Sequence, residues 1–384
     1  MNESATKQHP TRVSVIVPTY NRAKFIGESL DAILAQLHTQ DEVIVVNDGS
    51  QDDTADVLSA YTDRLRVVTQ ENAGKSAALN RALPDVSGDL VWIVDDDDIV
   101  SSDARDRLVS ALESAPEAGF AYGRHDRFFD DENTGSRHTL DTGYWYESSP
   151  AEFLCATLED FFAHQPGMMV RKEIYEHVGP FTPIYSEDYD MLIRLALVAQ
   201  PVAVPGILFH QRQHDGTRGT AADPIRIDQR DTAWIKASRD IVTKYMDELP
   251  LQMFVPERAL IDGLTRRRAR IQRGVIFARH GLWVRSVEEF ELAAEEALDA
   301  LMPAERELLR RVSGSKFGTQ TFLSDRDAQR AFTRLAASSA IGRSIVRRIG
   351  KSFAWRARTA VQNGRYATAL QYAQRVIDMW ILGR

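Results

Sequence analysis

Apolar positions in the first hundred residues alternate between two spacings. Val13–Val17 is a short run ending at Pro18, and Arg22–Leu37 follows with apolar residues at helical intervals (Phe25, Ile26, Leu30, Ile33, Leu34, Leu37). Glu42–Val46 is a second strand-sized run, closed by Asn47-Asp48-Gly49-Ser50. Thr54–Tyr61 predicts a helix, Leu65–Thr69 a third strand, Ser76–Leu83 a helix and Leu90–Val94 a fourth strand. Strands that are apolar throughout and alternate with helices predict an α/β fold, a mostly parallel sheet with helices on both faces. Ligands of such sheets bind beyond the carboxyl ends of the strands. That rule singles out Thr19–Arg22, Asn47–Ser50, Gln70–Lys75 and Asp95–Asp98 before any chemistry is considered.

The pattern then loosens. Residues 120–150 are polar, aromatic and rich in Gly and Asp, and read as loops and irregular strands. Ala151–Phe162 predicts a helix, Met168–Val170 a strand, Lys172–His177 a short helix and Asp188–Ala199 an amphipathic helix. Val202–Val204 and Ile207–His210 read as short strands, and Asp215–Pro224 as a Gly-containing linker. Beyond Pro224 the spacing is helical almost throughout. Gly281-Leu282-Trp283 and Gly364-Arg365-Tyr366 each open a helix with small residues behind the aromatic, resembling tetratricopeptide-like hairpins, though only two copies occur and no regular array. The expected organisation is an α/β domain over 1–222 and an α-helical domain over 223–384.

Composition is that of a globular chain, with 43% hydrophobic and 27% charged residues. Cys155 is the single cysteine, which excludes an intrachain disulfide and fits a reducing compartment. The first residues, MNESATKQHPTR, lack the apolar core of a signal peptide, and no apolar run reaches about 18 residues. The expected location is cytoplasmic, with peripheral contact at the inner face of the membrane as an option. The net charge of −8 conceals an asymmetry: +11 from Pro224 onward against −19 before it.

Chemistry concentrates at the strand ends. Asp95-Asp96-Asp97-Asp98 follow the fourth strand directly, and four like charges there call for a cation. A hard divalent ion with carboxylate and phosphate oxygens is one solution, a solvated acidic loop the other. In an extended segment alternate residues share a face, pairing Asp95 with Asp97 or Asp96 with Asp98. Asp48 is placed to accept from a base N–H or a ribose hydroxyl, or simply belongs to an Asn-Asp-Gly turn. Lys75, beside Gly74 at a helix start, suits a diphosphate. Glu187 and Asp188 open a helix, where acids serve as caps or, functionally, as a general base. His210 and His214 are metal-ligand candidates, and Arg212 and Arg218 phosphate binders. Tyr144, Trp145 and Tyr146 are placed either to stack on a sugar ring or to pack with one another.

In order and spacing, VSVIVPTYNRAKFIGESLDAIL, DEVIVVNDGSQDDTADVL, NAGKSAALNRAL, GDLVWIVDDDDI, MVRKEIYEHVGPF, SEDYDMLIRLA and RQHDGT resemble a family 2 glycosyltransferase of the GT-A fold over about residues 11–220. The resemblance implies an inverting transfer from a nucleotide-sugar, a UDP-sugar by default, to a hydroxyl of a glycan or lipid-linked acceptor. It implies that Pro18, Thr19, Tyr20, Arg22 and Asp48 cradle the nucleoside and that Lys75 and Asp96 serve the donor. Asp95, Asp97 and His214 would hold Mn2+ or Mg2+, and Asp188, with Glu187, would be the catalytic base. Pro180 stands where the family usually has a glycine.

Two rival readings remain: a non-catalytic scaffold that binds a nucleotide-sugar, and a nucleotidyltransferase, which should carry a Gly-rich basic loop where Pro18-Thr19-Tyr20-Asn21 stands. The Arg-rich TRRRARIQR has no accompanying nucleic-acid module, so no nucleic-acid partner is expected. Ile341, Ile345, Ile349 and Phe353 form an apolar stripe among Arg343, Arg347, Arg348, Lys351, Arg356 and Arg358. Residues 341–358 therefore either lie on an anionic membrane or pack inside the helical domain.

Overall fold

The computed structural model describes residues 11–214, 218–219, 224–225, 227–296, 300–315 and 318–384. The segment read as a linker over 215–224 falls mostly outside them. Its described part, Arg218–Gly219, pairs antiparallel with Pro224–Ile225.

The chain forms two compact units. One ends at Pro150 and resumes over Phe161–Trp234; the other comprises Ala151–Asp160 and Ile235–Arg384. This division differs from the expected break at 222/223: the first unit runs on to Trp234, and the segment around α5 (Phe153–Glu159) joins the helical unit. Polar pairs far apart in sequence hold it there. Glu159 Oε1 accepts from Gln272 Nε2 at 2.8 Å, Arg279 Nη2 donates to Asp160 Oδ2 at 3.0 Å, and His280 Nε2 lies 2.8 Å from the Leu158 carbonyl.

The first unit is built from β1 (Val13–Thr19), α1 (Ile26–Leu34), β2 (Glu42–Asn47), α2 (Thr54–Ser59), β3 (Arg66–Thr69), α3 (Lys75–Ala82) and β4 (Leu90–Ile93). Then come β5 (Ile99–Val100), α4 (Ala104–Ser114), β6 (Ala118–Asp130), β7 (Arg137–Thr142), β8 (Met168–Arg171), α6 (Lys172–Val178), α7 (Glu187–Val198) and β9 (Gln200–Arg212). Sheet order is β3-β2-β1-β4-β8-β6-β9-β5, with β7 on β6. The four strands read from the sequence are all parallel, and β1, β2 and β4 are buried almost end to end, as strands covered on both faces must be. The remainder is mixed: β8 runs antiparallel to β4 and β6, while β6 and β9 are parallel. Residues 118–130 and 200–212 are single long strands, not the loops and short strands expected. Alternation there is blurred by register shifts between β6 and β9.

Beginning at β1, β2 and β3 extend the sheet one way and β4 the other, which opens a crevice at the carboxyl ends of β1 and β4.

In the helical unit, α8 (Arg230–Glu248) is followed by α9 (Gly263–Arg279), α10 (Trp283–Ala294), α11 (Pro303–Arg310), α12 (Gly318–Ser324), α13 (Arg326–Ser338), α14 (Ala340–Ser352), α15 (Ala354–Gln362) and α16 (Tyr366–Leu382). Gly281 and Gly364, at φ 73° and 70°, form the turns into α10 and α16. Both turns close with the same two hydrogen bonds: Gly281 N to Ala278 O and Leu282 N to Phe277 O, Gly364 N to Val361 O and Arg365 N to Ala360 O. The left-handed φ is why glycine stands at both. The stripe of Ile341, Ile345, Ile349 and Phe353 is buried in this unit's own core. It is therefore a packing face, and the stripe of 341–358 does not face a membrane as one of the two expectations had it. No helix among the described residues is long and apolar enough to cross a membrane.

Candidate active site

The site lies wholly in the first unit, where five carboxylates face two permanent cations at the crevice between β1 and β4. Lys75, the first residue of α3, places Nζ 2.6 Å from Asp95 Oδ1 and 3.6 Å from Glu187 Oε1. Arg22, in the turn after β1, places Nε 3.5 Å from Asp96 Oδ1 and 3.6 Å from Asp97 Oδ2. His214 Nε2 lies 2.8 Å from Asp97 Oδ2, its ring packed 4.8 Å from that of Phe25.

The alternate-residue rule for the acidic run does not hold. Asp98 N bonds to Asp95 O at 3.3 Å, so the segment turns instead of extending, and neighbours Asp96 and Asp97 reach the same guanidinium. Asp98 faces away: it is buried and accepts the Arg212 backbone N–H at 3.0 Å. The expected ligand trio of Asp95, Asp97 and His214 is only partly assembled, because Lys75 holds Asp95. Among the described residues no three His, Cys, Asp or Glu side chains are arranged to hold a metal by themselves.

Electrostatics record the crowding. Burial, then the adjacent Asp97 charge, pushes Asp96 up to about 7 against the pull of Arg22. Burial likewise raises Glu187 to about 7, with Asp188 adding and Lys75 opposing, and burial raises Asp188 as well. Lys75 loses solvation too, but Asp95, Glu187 and Asp188 outweigh that and hold its ammonium above the ordinary lysine range. Carboxylates held this close in low dielectric favour any ligand that brings positive charge.

Two strained residues flank the cluster. Asn21 and Ser186 adopt left-handed backbone, at φ 53° and 65°, and directly precede Arg22 and Glu187. Non-glycine residues held there mark positions the surroundings over-determine, commonly at functional sites. Asn21 is fixed by Ser50 Oγ on its N–H and by accepting from Gln51 N. Neither strain has a signal in the sequence.

Asp48 is buried, and both its oxygens are engaged. Oδ1 accepts from Gln70 Nε2 and Ala73 N, and Oδ2 from Asn72 Nδ2 and Gly74 N, at 2.7–3.0 Å. In this arrangement it tethers the 70–74 loop that leads into Lys75. Gly49, at φ 74°, lets that loop approach: a Cβ there would lie 2.8 Å from Asn72 N. Asp48 N bonds to Thr19 O at 2.9 Å, which ties Pro18-Thr19 to the same loop, and half-buried Tyr20 follows.

Other expectations are corrected. Arg212 is an internal tie, not a phosphate binder: it is buried between Phe25 and Phe128, pairs with Glu28 and Asp130, and donates to the Asp97 carbonyl at 2.9 Å. His210 Nδ1 pairs with Asp126 Oδ1 at 2.6 Å. The side chain of Arg218 lies outside the described residues. Trp145 packs against Tyr122 and Phe162, and Tyr146 against Phe162, so these two belong to a packed cluster, while Tyr144 is exposed.

Residues 14–179 match the model of Glycosyl transferase family 2. That match places the likeness to glycosyl transferase family 2 almost wholly in the first unit of the chain. Among its relatives, glycosyltransferase GlyA of Streptococcus pneumoniae is 34% identical over 137 residues, which are 35% of this chain and 20% of GlyA. An uncharacterized glycosyltransferase of Rickettsia typhi is 25% identical over 217 residues, 56% of this chain and 68% of its own length. The chain thus spans only a fifth of one relative and about two thirds of the other. S. aureus TarS 1-349 in complex with UDP superimposes with a TM-score of 0.51 at 16% identity, covering 94% of this chain and 91% of TarS 1-349. That likeness establishes the fold: a GT-A domain followed by a helical region.

Proposed function

We propose that this chain transfers a sugar from a nucleoside-diphosphate donor to an acceptor hydroxyl by a single inverting displacement. The observation that carries the reading is the half-buried cluster of Asp95, Asp96, Asp97, Glu187 and Asp188 around Lys75 and Arg22 at the carboxyl edge of β1 and β4.

Asp188 is the base. It accepts the acceptor's hydroxyl proton as that oxygen bonds to the anomeric carbon and the bond from that carbon to the diphosphate breaks. Its place in the first turn of α7 favours the ionised form, and Tyr189 N donates to Oδ1 at 2.9 Å, which orients the carboxylate. Lys75 bridges Asp95 and Glu187 and supplies positive charge for the leaving diphosphate. Arg22 does the same from the other wall. Pro18, Thr19 and Tyr20 form the floor where the nucleoside lies.

A divalent cation fits the donor set. Such ions are commonly bound by one or two protein groups plus substrate phosphates, and Asp97 with His214 offers that pair in a pocket with excess negative charge. Held there, Mn2+ or Mg2+ would neutralise charge developing on the leaving diphosphate. The acceptor class we favour is a glycan or lipid-linked hydroxyl. The deciding experiment is a transfer assay across UDP-, GDP- and dTDP-sugars with Mn2+ or Mg2+. Turnover of at least one donor is expected, UDP-sugars first, and hydrolysis or transfer of none would sink the reading.

The pH profile follows from the same cluster. The base must be ionised, and burial lifts Asp188, like its neighbour Glu187, above its usual range, so kcat/KM falls on the acid side at a pH above the ordinary carboxylate range. An ordinary solvent-exposed carboxylate would place the acid limb near 4. A profile flat between about pH 5 and 8 would contradict it.

A further inference from the structure

The helical unit repeats one hairpin and covers only the first copy. In α10, Trp283 and Val287 are buried at 1% and 0% exposure; Trp283 packs on Phe322, Phe332 and Phe353 and donates to Gly318 O at 3.0 Å. The matching positions after the second turn are Tyr366 and Leu370, which stand 71% and 72% exposed. Ile377 and Ile381 continue the same stripe along α16 with Trp380 beside it, all exposed. At 100° per residue these side chains span an arc of about 100° on the helix side opposite Tyr372 and Met379, which face the core. Apolar residues this large, grouped on one face, mark an interaction surface.

Charge selects the occupant. Residues 341–384 hold nine Arg and Lys and a single acid, Asp378, which pairs with Arg375. Arg347, Lys351, Arg358, Arg365 and Arg384 are exposed. Arg347 sits where α14 meets the end of the stripe, since a Cβ on Gly383 would lie 2.6 Å from Arg347 Cβ. Arg384 closes the stripe over the Trp380 ring, 3.5 Å from its centroid. A second copy would bring equal positive charge against this face, which disfavours self-association. A bilayer with anionic headgroups supplies both an apolar interior and the opposite charge, and Tyr and Trp at the two ends of the stripe suit its interface.

We propose that the exposed face of α16 seats this chain on an anionic lipid bilayer. The test is co-sedimentation of the full chain with phosphatidylcholine vesicles, alone or with phosphatidylglycerol, for the wild type and for Leu370→Glu combined with Ile377→Glu. Both residues are exposed, so folding is retained, checked by circular dichroism. Binding is expected to the anionic vesicles at low salt, at least about tenfold weaker in the double variant, and about tenfold weaker for the wild type at about 0.5 M NaCl. No binding of the wild type to anionic vesicles, or equal binding of the double variant, overturns the proposal. So does a lipid-free dimer, seen by sedimentation velocity, that the double variant dissolves, because a second copy would then be the occupant.

Discussion

Asp188→Asn is expected to lower kcat by roughly a thousandfold, the scale for loss of the positioned general base we propose. The substitution keeps the shape of the side chain and its place at the start of α7, and the Tyr189 N–H still finds an oxygen to donate to. What disappears is the ability to take a proton. Lys75 keeps Asp95 and Glu187 as partners, so it stays in place in the site. Nucleotide affinity, measured by calorimetry, is therefore expected to stay at the wild-type value while turnover collapses. Glu187→Gln is the informative companion: its charge helps hold Lys75, so loss there should appear partly as weaker donor binding. Near-normal kcat in Asp188→Asn would move the base elsewhere.

Asp97→Ala is expected to remove the metal dependence of nucleotide binding proposed above. Calorimetry of UDP with Mn2+ is expected to show affinity reduced by about 10- to 100-fold, with metal-free affinity unchanged. The structural consequence should run the other way. Asp97 is one of the charges that push Asp96 up, so its removal relieves repulsion while Arg22 keeps Asp96 as a partner. The melting temperature of the variant should match or exceed the wild type without metal. That split separates a ligand from a fold-holding residue, since losing the latter would lower both. Affinity with Mn2+ that matches the wild type would remove Asp97 from the ligand set.

Some features were legible because they are local. Four parallel strands follow from short runs rich in β-branched residues, and α1, α3, α6 and α7 from helical spacing. The strand ends point to Thr19–Arg22 and Asp95–Asp98 by a rule needing no coordinates. The Gly-turn likeness at 281 and 364 also holds, because a left-handed residue closing two hydrogen bonds depends only on near neighbours. Less legible were β6 and β9, where register shifts disturb the two-residue alternation, and the short α5, which joins the helical unit through partners more than a hundred positions away.

By itself, then, the sequence determined which acids and bases arrive at one lip of the sheet, since strand spacing and turn residues act over a few positions. Which of them pair was decided only by the tertiary structure. The turn at 95–98 gives Asp95 to Lys75, Asp96 and Asp97 to Arg22, and Asp98 to the Arg212 backbone. The loop at 70–74 saturates Asp48, and the core absorbs the 341–353 stripe while leaving that of α16 bare. An amphipathic spacing tells that a face is apolar, but what covers it depends on elements brought together by packing, and periodicity along one helix carries no record of them.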